Sequence, residues 1–262
     1  MPVNKIEILT LFPSAVQSVL DSSILRRAQA KGILELNAKD LRPFGVTKHH
    51  NVDDTPFGGG PGMLFRADVL DTALTHTLNE VGKRENMKVV YPSPRGVEIS
   101  QQHCQKFADW IVKSTEASAL VFVCGRYEGV DERFVQKWVD FEFSLGDFIL
   151  TGGELPSLCF VDGIVRLLPG VLGDERSPEQ ESFSSGLLEH PQFTKPREVG
   201  GVSAPQTLLE GNHSKMDEWK LRSSLMLTFA FRPDLIRKHT GEGFPKWAQA
   251  LLKELQDRLA QR

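Results

Sequence analysis

Two apolar runs that each break at glycine limit this chain more than any other feature. Residues 120–124 are uninterrupted and rich in Val and Phe, and such a run reads as a strand buried on both faces. It stops at Gly125, where Arg126, Tyr127, Glu128 and Gly129 crowd into a turn. The second run holds Phe143, Leu145, Phe148, Ile149 and Leu150, and breaks at Gly152 and Gly153. Glycine just after a strand lets main chain approach a ligand closely. In α/β sheets, ligands sit beyond the carboxyl ends of the strands. The two turns are therefore candidate walls of one pocket, although glycine alone favours ordinary strand-to-helix turns.

Strand and helix patterns alternate along most of the chain. Residues 5–11 form a first strand pattern closed by Pro13. A helix capped by Ser14 and another from Ser23 to a stop at Gly32 follow. Residues 33–37 alternate as a second strand, residues 67–81 carry helical spacing ended by Gly82, and residues 87–91 read as a third strand. The latter leads into Pro92-Ser93-Pro94-Arg95-Gly96, a rigid turn at the same sheet edge. Helices are expected from Ser100, over 131–139, and over 155–168, the last with Pro156 in its first turn. This order implies an α/β fold with a mostly parallel sheet and flanking helices. Residues 173–185 are polar, acidic and without periodicity, which reads as a linker. A helical region follows, with Ser214 and Asp217 as a capping box and last helices over 215–232 and 244–259.

Composition narrows the function classes. With 262 residues and 40% hydrophobic content, the chain can build one large domain and a smaller one. The net charge is −3, so any nucleic acid must meet a local patch rather than a basic chain. From residue 171 onward there are 13 Lys/Arg and 13 Asp/Glu, and neither part is a basic arm. Lys215, Lys220, Arg222, Arg232, Arg237 and Lys238 crowd one helical region. They read as a solvated face or as a phosphate-contacting one. The three cysteines lack CxxC spacing and point to a reduced, cytoplasmic protein. No signal peptide or membrane-spanning run is visible. His49 and His50 read as a solvated loop pair, and no metal site is expected.

Residues 42–62 have little periodicity, and they include the cluster Gly58-Gly59-Gly60-Pro61-Gly62. A glycine cluster can cradle phosphate with backbone N–H groups, but no Walker lysine follows. Three long motifs stand in order: FGGGPGM (57–63), GRYEGVDERF (125–134) and SLGDFILTGGELP (144–156). Together they closely resemble the bacterial tRNA (guanine-N1)-methyltransferases that modify position 37, of the SPOUT class. The similarity runs over nearly the whole chain.

That resemblance implies a trefoil knot in the sheet domain, a topology that general chain-connection rules disfavour and that no residue pattern here suggests. It divides the chain into a cofactor-binding knotted domain at 1–172, a flexible linker at 173–186 and a helical tRNA-binding domain at 187–262. S-adenosylmethionine would be enclosed by Tyr91, Pro92, Ser93, Pro94, Gly125, Glu128, Leu145, Gly146, Asp147, Phe148, Ile149, Leu150, Gly152, Gly153 and Pro156, largely through main chain. Gly58, Gly59, Arg126 and Glu189 would lie near the target nucleotide.

Guanine N1 carries a proton, so the chemistry asks for a carboxylate to take it and a cation to meet charge building on O6. The resemblance gives the cation to Arg166. It gives the base to an aspartate fifteen residues later, where this chain has Glu181. The spacing holds while the acid has lengthened by one methylene, and Glu179 and Asp174 stand nearby as alternatives. Glu189 likewise replaces an aspartate. The family further implies a homodimer with a site shared between subunits, and Mg2+ dependence in some members. Two rival readings remain at this level: a knotted methyltransferase acting on another nucleotide, and a catalytically lapsed RNA-binding protein.

Overall fold

The computed structural model describes residues 4–173 and 181–261. The chain divides into two compact units, Met1–Glu175 and Arg176–Arg262.

The first unit is built on β1 (Lys5–Thr10), β2 (Glu35–Asp40), a short antiparallel pair β3 (Asp53–Asp54) and β4 (Leu64–Phe65), then β5 (Met87–Glu98), β6 (Ala119–Val123) and β7 (Phe141–Ser144). The five long strands form one all-parallel sheet in the order β2-β1-β6-β5-β7. Alternate residues of the central strands enter two cores, one on each face. Ile6, Ile8, Leu120 and Phe122 pack under α1 (Pro13–Leu20), α2 (Ser23–Ala30), α4 (Gln101–Lys113) and α6 (Glu154–Val165). Leu9, Val89, Val121 and Val123 pack under α3 (Ala67–Val81) and α5 (Glu132–Trp138). A sheet covered on both sides explains why β6 reads as a continuous apolar run. The buried Glu7 on β1 is no exception, because Lys5 lies 3.0 Å away and the Thr77 hydroxyl donates to it at 2.6 Å.

Four local readings change. Helix α1 begins at Pro13, with Phe12 before it and no side-chain cap from Ser14; proline suits a first turn, where its missing N–H is not needed. Strand β2 starts at Glu35 rather than at Ile33, because the Ile33 N–H still closes α2 on Ala28 O at 3.1 Å. Residues 92–96 do not end β5. Pro92 and Val97 both face Phe143, so the residues between them bulge out and the ladder resumes. Proline cannot donate to a ladder, and Arg95 braces the bulge on Glu142 at 2.8 Å and Glu132 at 3.0 Å. Finally, the second apolar run leaves the sheet at Ser144. Phe148 and Ile149 are 58% and 81% exposed while Phe143 is fully buried, so only the start of this run is a buried strand.

In the second unit, β8 (Glu198–Val199) and β9 (Val202–Ser203) form a hairpin. Helices α7 (Gln206–Leu209), α8 (His213–Phe231), α9 (Pro233–Lys238) and α10 (Lys246–Ala260) follow. Its core is Leu187, Leu225, Ile236, Ala248, Leu252, Leu255 and Leu259. Asn212, not Ser214, caps α8 by accepting from the Lys215 N–H at 3.1 Å. Residues 181–186, expected as linker, are folded into this unit. Ser182 Oγ accepts from the Glu189 N–H at 2.9 Å, and the Arg232 guanidinium lies 5.6 Å from the Phe183 ring centre. Asp174 and Glu179 lie outside the described residues.

Candidate active site

A cavity of about 350 Å3 opens beside the bulge of β5 and the carboxyl ends of β6 and β7. Its position follows from the sheet being parallel, since every strand delivers its following loop to the same edge. Three main-chain corners wall it. The first is the entry to the β5 bulge, Tyr91 to Pro94. The second is the turn after β6, Gly125 to Gly129. The third is the long loop after β7, closing at Gly152, Gly153 and Pro156.

Gly153 shows why the corners need glycine. A Cβ there would stand 2.8 Å from Cys124 Cα and from Pro92 Cγ, and 3.0 Å from the Gly125 nitrogen. The two loops meet at this point through the Gly153 N–H, which donates to Gly125 O at 2.9 Å. Thus main chain packs on main chain beneath the cavity. Burial pushes the Tyr91 phenol and the Cys124 thiol up from their ordinary values, so both stay neutral at physiological pH.

The glycine cluster of 58–62 docks on the second corner. Glu128 N–H donates to Met63 O at 3.0 Å, and Phe65 N–H to Gly129 O at 3.0 Å. At Gly62, φ is +82° and a Cβ would collide with the Glu128 side chain. Tyr127 holds a φ of +58°, strained for a residue with a side chain. Its ring meets Phe65 edge-on at 5.8 Å. Desolvation, helped by the neighbouring Asp53 carboxylate, raises its phenol above the ordinary value.

Of the residues expected around the cofactor, all but Asp147 line this one cavity. Arg126 lines it too, but its guanidinium is held by Glu154 at 3.0 and 3.2 Å. Gly58 lines a second cavity of about 860 Å3 beside α3 and α5, and Gly59 lines neither. Arg166 ends α6, and lies about 18 Å along that helix from Glu154 at 1.5 Å of rise per residue; it does not line the cavity. Glu181 and Glu189 belong to the second unit. Tyr127, Gly129, Phe143, Ser144 and Thr151 also line the cavity. They sit inside or beside the motifs already quoted, so extending each motif to its whole turn finds them.

The cavity favours a particular ligand charge. Arg126 and Glu128 are the Lys, Arg, Asp and Glu residues in its lining. Glu154 neutralises Arg126, and Glu128, whose side chain packs beside Gly62, is the other charged residue of the lining; a carboxylate in that place suits a cationic ligand. Among the described residues no three His, Cys, Asp or Glu side chains group to hold a metal ion. Among them, too, no helix is long and apolar enough to cross a membrane.

Comparison with known proteins fits this geometry. The family model described as tRNA (Guanine-1)-methyltransferase TrmD matches residues 4–238. A tRNA (guanine-N(1)-)-methyltransferase of Ruegeria sp. (strain TM1040) is 48% identical over 233 residues, covering 89% of this chain and 92% of that one. Proteins of the same name from Magnetococcus marinus and Heliobacterium modesticaldum are 47% and 44% identical, over 89% and 95% of this chain and 90% of each relative.

Proposed function

This chain belongs to the tRNA (guanine-1)-methyltransferase family, and on that footing we propose that it transfers a methyl group from S-adenosylmethionine to N1 of guanosine 37 in tRNA, beside the anticodon. Its cellular role is then maintenance of the reading frame, in the cytoplasm where tRNA is used.

The observation that carries the cofactor assignment is the cavity. It offers main-chain donors and acceptors at three corners, apolar walls at Leu145, Ile149, Leu150 and Pro156, and one unneutralised carboxylate. Adenine and ribose suit the main-chain corners, and the sulfonium and ammonium charges suit Glu128. When bound, the cofactor supplies an electrophilic methyl group. The chain's own residues then prepare the acceptor. Glu181 takes the N1 proton, Arg166 donates to O6 as negative charge builds there, and Glu189 engages the guanine edge. The basic face of α8 and α9 meets the tRNA backbone.

Arg166 stands at the far end of α6 from its own cavity, which supports a site completed by a second subunit. We assign the chain to a homodimer in which one copy holds the cofactor and its partner brings the base. The knot belongs to the same reading: α6 starts under the cavity and packs along the sheet beside α1 and α2, the part of the chain a trefoil would thread.

The deciding assay incubates the protein with S-adenosylmethionine and an unmodified tRNA bearing G37, then maps the product. We expect 1-methylguanosine at 37 and none when that base is adenosine. Methylation elsewhere would instead favour another knotted RNA methyltransferase, and its absence a lapsed RNA-binding protein. Repeating the assay with a chelator reads whether Mg2+ takes part.

A further inference from the structure

Glu154 is an acidic residue that the chemistry above does not use, and it is 7% exposed. It opens α6, directly after Gly153. Its carboxylate gathers groups from two other places in the chain. The Thr10 hydroxyl, at the end of β1 and fully buried, donates to Oε1 at 2.8 Å. Arg126, on the turn after β6, donates from Nε at 3.2 Å and from its terminal nitrogen to Oε2 at 3.0 Å. The same arginine donates to Thr151 O at 3.2 Å and lies 4.4 Å over the Phe12 ring. Gly152 leaves room for it, since a Cβ there would collide with the guanidinium. Thr10 in turn accepts from the Phe12 N–H at 2.9 Å.

A partly buried ion pair of this kind is a poor source of stability, because desolvation offsets much of its attraction. Its geometry is what it fixes. Each partner is on a different chain segment, and two of those segments wall the cavity. We infer that Thr10, Glu154 and Arg126 form a latch that sets the spacing of the two glycine corners, so that Glu154 and Arg126 are positioning residues for S-adenosylmethionine. Arg126 then acts inward, on Thr151 and Glu154, rather than on the tRNA. This rests on the cofactor reading above and deepens it.

The test is calorimetric titration of S-adenosylmethionine into the full-length protein without tRNA, set beside KM for tRNA. Glu154→Gln keeps the shape and removes the charge; Arg126→Gln removes the other half. We expect each to weaken cofactor binding by about tenfold or more, as loss of one partner of a buried pair does. KM for tRNA should stay within about twofold, and the double variant should bind no worse than the weaker single one, as groups acting as one unit do. Thr10→Ser should bind as wild type does, and Thr10→Val more weakly. Should Glu154→Gln fail to fold, the Thr10 pair decides alone: equal affinities for Ser and Val overturn the latch. A normal cofactor affinity with a raised tRNA KM in Arg126→Gln overturns it as well, and so do additive losses. Wild type that binds the cofactor yet methylates no guanosine contradicts the proposed reaction and leaves the latch to these comparisons. Wild type that binds no cofactor overturns both.

Discussion

At Gly153 the smallest side chain in the protein holds two loops in contact. Gly153→Ala forces its Cβ against Cys124, Pro92 and Gly125, and overpacking of that kind costs about 1–3 kcal/mol. We expect a lower urea midpoint together with lost S-adenosylmethionine binding. Gly58→Ala is the contrast. A Cβ there meets nothing within 4 Å, though φ is +86°, so backbone strain alone costs about 1 kcal/mol and cofactor affinity holds. Arg166 tests the division of labour: Arg166→Ala should leave the cofactor dissociation constant unchanged while lowering the single-turnover rate by about a hundredfold or more, the size seen when one preorganised charge-stabilising donor is removed. A matching loss of cofactor affinity would count against its assignment. The glycines of the corners were legible in the sequence because they follow the apolar runs directly, although the contacts that require glycine at 152 and 153 come from other segments. Asp147 was not separable from its neighbours, since only the turn of the loop after Gly146 keeps it out of the cavity lining.

Among the elements, α6 packs against α1, α2, α4, β1 and β5. Its Phe160 is fully buried and meets Phe107, Phe122, Phe141 and Phe143 at 4.9 to 6.2 Å between ring centres. Truncation to Ala should cost about 3–5 kcal/mol, as for other buried aromatics, read by denaturant melts. Helix α8 offers a finer check. Asn212→Ala should cost about 1 kcal/mol, the worth of an N-cap, while Ser214→Ala should change little. The capping-box reading failed here because Asn and Ser two positions apart are both good caps, and where the helix starts depends on packing against Leu187 and Ile236. Helix α3, by contrast, ended at Gly82 as read, with φ at +82° and its N–H on Leu78 O at 2.8 Å.

In the first unit, acid should act in part through a cluster on the α3–α5 face. Arg66 hydrogen-bonds Asp68, Lys137 hydrogen-bonds Asp71 and Arg133 hydrogen-bonds Asp131, and each bond pulls its carboxylate below the ordinary aspartate value of 3.8. Stability from such a carboxylate is complete above the ordinary value and is lost as pH falls through the lowered folded value. The melting temperature should therefore drop as pH is lowered through 3.8 towards 2. High salt should blunt the effect, since these groups are near the surface. For the assembly, mixing unfolded Gly153→Ala and Glu181→Ala chains and refolding them together should restore about a quarter of wild-type activity, because half the dimers are mixed and each has one intact site. No recovery would sink the shared site.

Apolar periodicity, the glycines and the order of strands and helices were decided within short stretches of sequence, so reading along the chain recovered the parallel sheet and most of the cavity wall. What lies across the chain was decided by the fold. Glu154 meets Thr10 and Arg126 over 144 and 28 residues, and Arg166 is carried away from the cavity by the length of α6. Such pairings depend on how the elements pack, and no local pattern encodes the distance between two segments that only the core brings together.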